Sequence, residues 1–542
     1  MTSPRAATLS LLILLCGTAA RADAAEDADL AAQDGRCAVF WPKLEALAQS
    51  GEGAAQVAVS KAYEEGVCVD EDPAAAAEWL RRAIASYRVA AGKGDVAAQL
   101  ALGEMYVDGR GVEKDEHQAF RWFLMAAERD NAVAQVRVGY RYANGAGVAK
   151  DPRQAVAWYR KAAEQGNGTG QFNLGLAYLD GDGVDADEPQ AIAWLSKAAD
   201  QGDVDAQLVL GHTYAHHDVS DVAAQRQGVA WYRMAAAQGD CCEAQHNLGW
   251  HYMNGVGVDK DEREGAAWIR KAAEGGDDKA QGELGNLYTA GRGVDKDEGQ
   301  AFAWYSKAAA QGNLAATVDA ALMLEHGQGV PADKARAVAL FRQAADKGDA
   351  FAQNNLASMI AHGEGTAPDS QAALALYRKA AEHGLAAAQY NLGRAYASGA
   401  GVARDDREAA AWYAKSALQG DTYAQNALGL MYENGRGVPK DERQAFDWYM
   451  KAAEQGDPTA QRHVGTLLAE GRGVERDEAR AVAWYRKSAA QGDAAGETSL
   501  AAMLYDGRGA ARDVEGARAL FLKAAAQGNA DARDSLARLD SK

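Results

Sequence analysis

The stretch Gly420 to Gln455, GDTYAQNALGLMYENGRGVPKDERQAFDWYMKAAEQ, is followed by Gly456 to Gln491, GDPTAQRHVGTLLAEGRGVERDEARAVAWYRKSAAQ, in which the same residue types return thirty-six places later. The frame starts again at Gly492, and backward at Gly384, Gly348, Gly312, Gly276, Gly239, Gly202, Gly166, Asp130 and Gly94. Nearly the whole 542-residue chain is therefore one unit copied about a dozen times. A period of this length signals a solenoid, whose units bury their apolar faces only by stacking on neighbours.

Within the unit, Ala424, Leu428 and Tyr432 recur every four residues and so lie on one side of a helix. Asn434 and Gly435 end it, because glycine accepts the left-handed backbone of a helix stop. A second helix begins at Asp441, a side-chain cap, and Gln444 three residues on predicts a reciprocal capping box. The same spacing recurs at Asp115, Asp151, Asp187 and Asp297. Ala445, Tyr449 and Ala452 make the inward ladder of that helix, with Trp448 beside it. Each helix is too short to stand alone in water, and the short turn between the two predicts an antiparallel pair.

Units with glycine at the tenth place, such as Gly103, Gly139, Gly175, Gly393 and Gly429, carry tryptophan nineteen residues later, at Trp122, Trp158, Trp194, Trp412 and Trp448. Units with Ala321, Ala357 or Ala501 there carry Leu340, Leu376 or Leu520 instead. This covariation predicts that the indole lies over the glycine backbone.

Leu428, Gly429 and Tyr432 followed by Ala445, Tyr449 and Ala452 resemble the helix pair of a tetratricopeptide repeat, with a longer glycine-bearing turn and a period of thirty-six instead of thirty-four. Together with the recurring Ala-Gln, Gly-x-Gly-Val and Trp-Tyr-x-Lys-Ala-Ala, these departures resemble the Sel-one-like repeat family, from about Gly51 to the C-terminus. The resemblance implies an all-α, right-handed α/α superhelical solenoid of about 12–13 antiparallel helix pairs. It also implies an adaptor that holds other proteins or peptides on a concave wall lined by the first helix of each unit.

Residues 1–24 read as a signal peptide: Arg5, an apolar run from Ala6 to Cys16 too short to span a bilayer, and small residues at Ala20 to Ala24 for cleavage. Bulky Leu15 before Cys16 argues against a lipoprotein anchor, and no other stretch is apolar enough to cross a membrane. A periplasmic or secreted protein is the expectation. Residues 25–50 form a leader and 51–93 a degenerate first repeat, with twelve repeats over 94–527 and a capping helix over 528–542. The unit at Gly202 loses its Gly-x-Gly turn, and a bend is expected at 312–383, where two units lack tryptophan. Cys37 and Cys68 are compatible with a bridge or with two buried thiols, while adjacent Cys241 and Cys242 fall in a unit one residue longer than its neighbours.

A formal charge of −19 with a pI near 5.1 excludes a nucleic-acid or anionic-membrane partner that needs a basic face. No catalytic, cofactor or metal site is expected. His212, His216, His217 and Asp218 read as an altered turn, since no His-Glu-x-x-His motif is present. The Gly-x-Gly-Val turns lack the Gly-Lys-Ser/Thr of a phosphate loop. The resemblance extends to secreted, cysteine-rich members with β-lactam binding or hydrolysis, yet this chain has neither Ser-x-x-Lys nor Gly-x-Ser-x-Gly, nor those members' paired cysteines.

What remains is a surface. The seventh, eleventh and fourteenth places of the unit share one helix face and vary from unit to unit, holding Phe172, His212, His246, Trp250, Asn286, Tyr390 and Arg394. Aromatic residues beside arginine are the make-up of a binding hot spot, and equally of packing against the next unit. Tryptophan and tyrosine also stack on sugar rings, so an envelope polysaccharide is the second class of partner.

Overall fold

The computed structural model describes residues 37–215, 220–239 and 242–540, and the regular elements among them are twenty-eight α-helices. The signal peptide, residues 25–36 of the leader, His216, His217, Asp218 and Cys241 lie outside the described residues. The chain divides into two units, one ending at Trp268 and the other beginning at Ile269. Within each, consecutive helices pack on one another in pairs.

The repeat Gly420 to Gln455 shows how the pairs form. Its leading helix, Thr422–Asn434, starts at Asp421, whose carboxylate accepts from Ala424 N, and stops at Gly435 in the left-handed conformation. Its trailing helix, Glu442–Glu454, starts at Asp441, which accepts from Arg443 N and Gln444 N. Each such cap contributes about 1 kcal/mol, repeated down the chain. Asp441 donates its own N–H to Tyr432 O at 2.9 Å, across the turn. The reciprocal capping box is thereby corrected: the donor that Gln444 was expected to satisfy is already taken, and Gln444 is exposed. The same cap-to-carbonyl bond recurs from Asp115 to Tyr106 and from Asp297 to Tyr288.

Gly437 serves a different need from Gly435. A side chain there would be driven into the carbonyl of Asp406, at the first turn of the preceding trailing helix. The turn of one repeat thus lies backbone to backbone on the repeat before it, and Gly437 also holds φ at 70°.

A buried amide seals the other end. Gln425 donates from Nε2 to Ala417 O of the preceding trailing helix at 3.1 Å and accepts on Oε1 from Gln455 Nε2 at 2.9 Å. Gln455 closes the trailing helix and Gln425 opens the leading one, so the pair is antiparallel. The arrangement returns at Gln171 with Gln201, Gln389 with Gln419 and Gln461 with Gln491. In the repeat from Gly492 a glutamate takes the place: Glu497 is wholly buried, accepts from Gln527 and pairs with Lys523.

The indole does not lie over the tenth-place glycine. That space belongs to the next residue in sequence, since a Cβ on Gly429 would meet Tyr449 Cδ1 at 2.7 Å and one on Gly139 would meet Tyr159 Cδ1 at 2.6 Å. Trp448 instead borders the cluster that joins its repeat to the preceding one, formed by Ala409, Tyr413 and Ala417 with Ala424 and Leu428, and Lys451 Nζ lies 3.8 Å above its ring. The atoms nearest such a Cβ belong to the tyrosine and none of them to the indole, so the expected overlap of indole and glycine does not explain the correlation.

Gly429→Leu is expected to overpack Tyr449 and cost about 1–3 kcal/mol in urea unfolding. Adding Trp448→Leu should recover none of that loss. Recovery would return the indole to the glycine.

Candidate functional site

In three repeats the tyrosine over the tenth-place glycine brings its hydroxyl to a variable residue of the leading helix. Tyr305 Oη donates to Asn286 Oδ1 at 2.6 Å, Tyr449 Oη to Glu433 Oε2 at 2.8 Å and Tyr485 Oη to Thr466 Oγ1 at 3.1 Å. The glycines thus let a buried ring supply a polar edge to this face. Asn286 is accordingly a partner of the core tyrosine as well as an exposed residue.

In the unit ending at Trp268, Phe172 is half-buried at the border of the cluster that joins its repeat, through Leu195, to Leu210 and Trp231 of the next. His212 lies edge-on to Tyr232, with ring centroids 5.6 Å apart, and its Nε2 is 3.5 Å from Glu243 Oε1 and 3.1 Å from Asn247 Nδ2. Among the described residues no three His, Cys, Asp or Glu side chains are grouped to hold a metal ion. His246 is half-buried, and Trp250, one turn on, is 44% exposed and set edge-on to His251 at 5.2 Å. Tyr232 also approaches His251, at 5.6 Å, so His212 and Trp250 flank one aromatic group.

His251 was not singled out from sequence. It is buried, its Nδ1 lies 2.8 Å from Val256 O, and burial holds its pKa below the ordinary histidine value. It occupies the place of Met431 and Leu287 in other repeats, so a polar residue in an apolar register was the legible signal.

In the unit beginning at Ile269, Tyr390 and Arg394 are brought together, the guanidinium carbon 5.8 Å from the ring centroid. Tyr390 lies between Tyr413 at 5.7 Å and Tyr423 of the next repeat at 5.9 Å. Burial pushes the Tyr413 hydroxyl up to about 12. Arg394 is exposed and, among the described residues, no carboxylate pairs with it. Tyr423 is 64% exposed and was missed, because it sits at the fourth place, outside the three expected. Phe351 is the other aromatic at that place and is exposed too. Leu430, the counterpart of Arg394 one repeat on, adds an exposed apolar group.

A second unforeseen group follows. His463 stacks on Tyr449 with centroids 4.5 Å apart and planes 8° from parallel, while Glu433 pairs with Arg472, which also reaches Glu442 at 3.0 Å. Burial, with Arg462 adding, holds the His463 pKa down to about 4. In the unit beginning at Ile269 these groups offer aromatic edges, hydroxyls and a guanidinium that no carboxylate pairs among the described residues, which is contact chemistry.

The Sel1 repeat family model matches residues 53–86, 96–131, 132–167, 169–203, 204–240, 242–277, 278–313, 314–349, 350–385, 386–421, 422–457, 458–493 and 494–529. A crystal structure of a protective antigen present in uropathogenic Escherichia coli strains, displaying an SLR fold, is 32% identical, with a TM-score of 0.60 over 92% of this chain and 97% of that one. A Sel1 repeat protein from Oxalobacter formigenes is 29% identical with a TM-score of 0.41, over 45% of this chain and 96% of that one. A Sel1 repeat protein from Klebsiella pneumoniae is 26% identical with a TM-score of 0.27, over 37% and 98%. No curated protein matches the chain.

An unfolded histidine titrates near 6.5, so between there and pH 4 the unfolded chain takes up the proton that His463 refuses, and stability falls as pH falls. His463→Phe keeps the stacking and removes the titration. Urea unfolding across that range should show the variant losing less stability than the parent, by on the order of 2–3 kcal/mol. Parallel curves would mean that His463 is not held neutral.

Proposed function

Since the chain belongs to the Sel1 repeat family, whose solenoids generally mediate protein–protein interaction, we propose that it is a non-catalytic scaffold outside the cytoplasm, holding protein or peptide partners on its leading-helix face. The observation that carries this reading is the group formed by Tyr390, Arg394 and Tyr423. Tyrosines at the thirtieth place, such as Tyr413 and Tyr449, are buried as core, yet Tyr423 is turned out to solvent against Tyr390, whose ring also meets Arg394, an arginine that no carboxylate pairs among the described residues. Aromatic and arginine side chains that together offer large rigid contact area dominate binding energy at protein interfaces.

The placement outside the cytoplasm draws on the apolar run from Ala6 to Cys16 and on the bridge between Cys37 and Cys68, a bond that persists in oxidising compartments. Among the described residues no helix is long and apolar enough to cross a membrane.

Tyr423→Ala combined with Arg394→Ala removes two exposed side chains and should leave the helical circular dichroism unchanged. Affinity capture from the native envelope, quantified for each retained protein, should show at least one falling by about 30-fold or more, the loss expected of a hot-spot pair. An unchanged set of retained proteins would reject this face as the binding surface.

A further inference from the structure

Helix Cys37–Gln49 precedes every segment matched by the family, the first of which begins at residue 53. Its contacts are nonetheless those of a trailing helix. Gln56 donates from Nε2 to Ala48 O at 2.9 Å, as Gln425 does to Ala417 O. Trp41 meets Tyr63 edge to face at 5.6 Å, as Phe120 meets Tyr142 at 5.3 Å. Leu44 and Ala48 are buried at the places that Tyr449 and Ala453 hold later. Beyond the helix, Gly51 N donates to Ala48 O and Glu52 N to Leu47 O, the pattern that Gly420 and Asp421 make with Ala417 and Ser416.

The register places Cys68 where later repeats have the second turn glycine. It holds that glycine's backbone, with φ at 64° against 70° for Gly437. Cys37 lies 31 residues earlier, the separation of Asp406 from Gly437. Where later turns rest on the backbone of the preceding trailing helix, this one is bonded to it, with Cα atoms 5.1 Å apart.

Interior trailing helices are packed on both sides, by the leading helix of their own repeat and by that of the next. Among the described residues, the main packing partner of helix Cys37–Gln49 is the following helix, Gly53–Glu65, with Trp79 at the edge of their shared cluster. A helix of thirteen residues that, among the described residues, has one such neighbour in place of two has little packing to hold it.

We infer that the bridge between Cys37 and Cys68 is a redox latch for the N-terminal edge of the array. Closed, it keeps Leu44 and Ala48 over Ala55 and Val59 of the first repeat. A dithiol reductant opens it: two electrons and two protons pass to the sulfurs, the reductant closes to its own disulfide, and Cys37 and Cys68 part as thiols. Both cysteines are half-buried, within reach of such a reagent. The helix then leaves and bares the apolar edge of the first repeat, while the repeats beyond keep their own joints.

Hydrogen exchange on the full-length chain, before and after dithiothreitol, tests this, with alkylation and peptide mapping to confirm the state of both sulfurs. Reduction should speed exchange of the amides of residues 41–49 by about tenfold or more and leave those of 96–540 unchanged. Cys68→Gly restores the residue that this backbone prefers, so in that variant the segment should exchange fast with or without reductant. Cys37→Ser, which leaves Cys68 in its turn, should behave the same way. Unchanged protection of 41–49 with both thiols free would show that packing alone holds the helix. Faster exchange throughout 96–540 would show a staple of the whole fold instead of a latch.

Discussion

The array depends on backbone laid against backbone. At Gly437 the turn of one repeat approaches the carbonyl of Asp406 so closely that no side chain fits between them, and the contact returns at Gly147 over Glu116 and at Gly473 over Glu442. Around it the other joints fall into place. The cap residue Asp441 closes the turn on Tyr432 O, and Gln425 reaches the end of the previous trailing helix. Short trailing helices that are unstable singly become stable because each is held at both ends by the repeat that follows it.

Packing within the pair follows from another small residue. Gly429 gives up its side chain to Tyr449, and the ring passes over the leading helix until its hydroxyl reaches Glu433. The core and the variable face are therefore built by the same side chains. A substitution at Glu433, Asn286 or Thr466 alters what a partner meets and also what the buried tyrosine is bonded to.

Much of this was legible in the residues. The helix pair, its period and its glycine stops are local matters, set by spacing and by backbone freedom at positions such as Gly435. The role of Gly437 was not legible, because the atom it avoids is thirty-one residues away. Pairing tryptophan with the tenth-place glycine followed a true correlation to a wrong contact, since Tyr449, one residue further along the helix, fills the space over the glycine while Trp448 borders the cluster shared with the previous repeat. On the candidate face, Tyr390 and Arg394 were found by their shared register, but Tyr423 completes the group from a neighbouring helix, and its exposure depends on stacking that spacing alone does not describe.

The glutamine ladder has a consequence for how such a chain changes length. Gln171, Gln389 and Gln461 each make the same pair of bonds, to an alanine carbonyl behind and a glutamine amide from the end of their own repeat. Because these links are neutral and alike, they are interchangeable: a thirty-six-residue block that begins and ends within repeats of this kind, excised or duplicated in frame, rejoins donor to acceptor. Other repeats are less exchangeable: Thr317 stands at the glutamine place and bonds to Asn313 O, Gln353 leaves its Oε1 without a partner among the described residues, and Glu497 brings a charge.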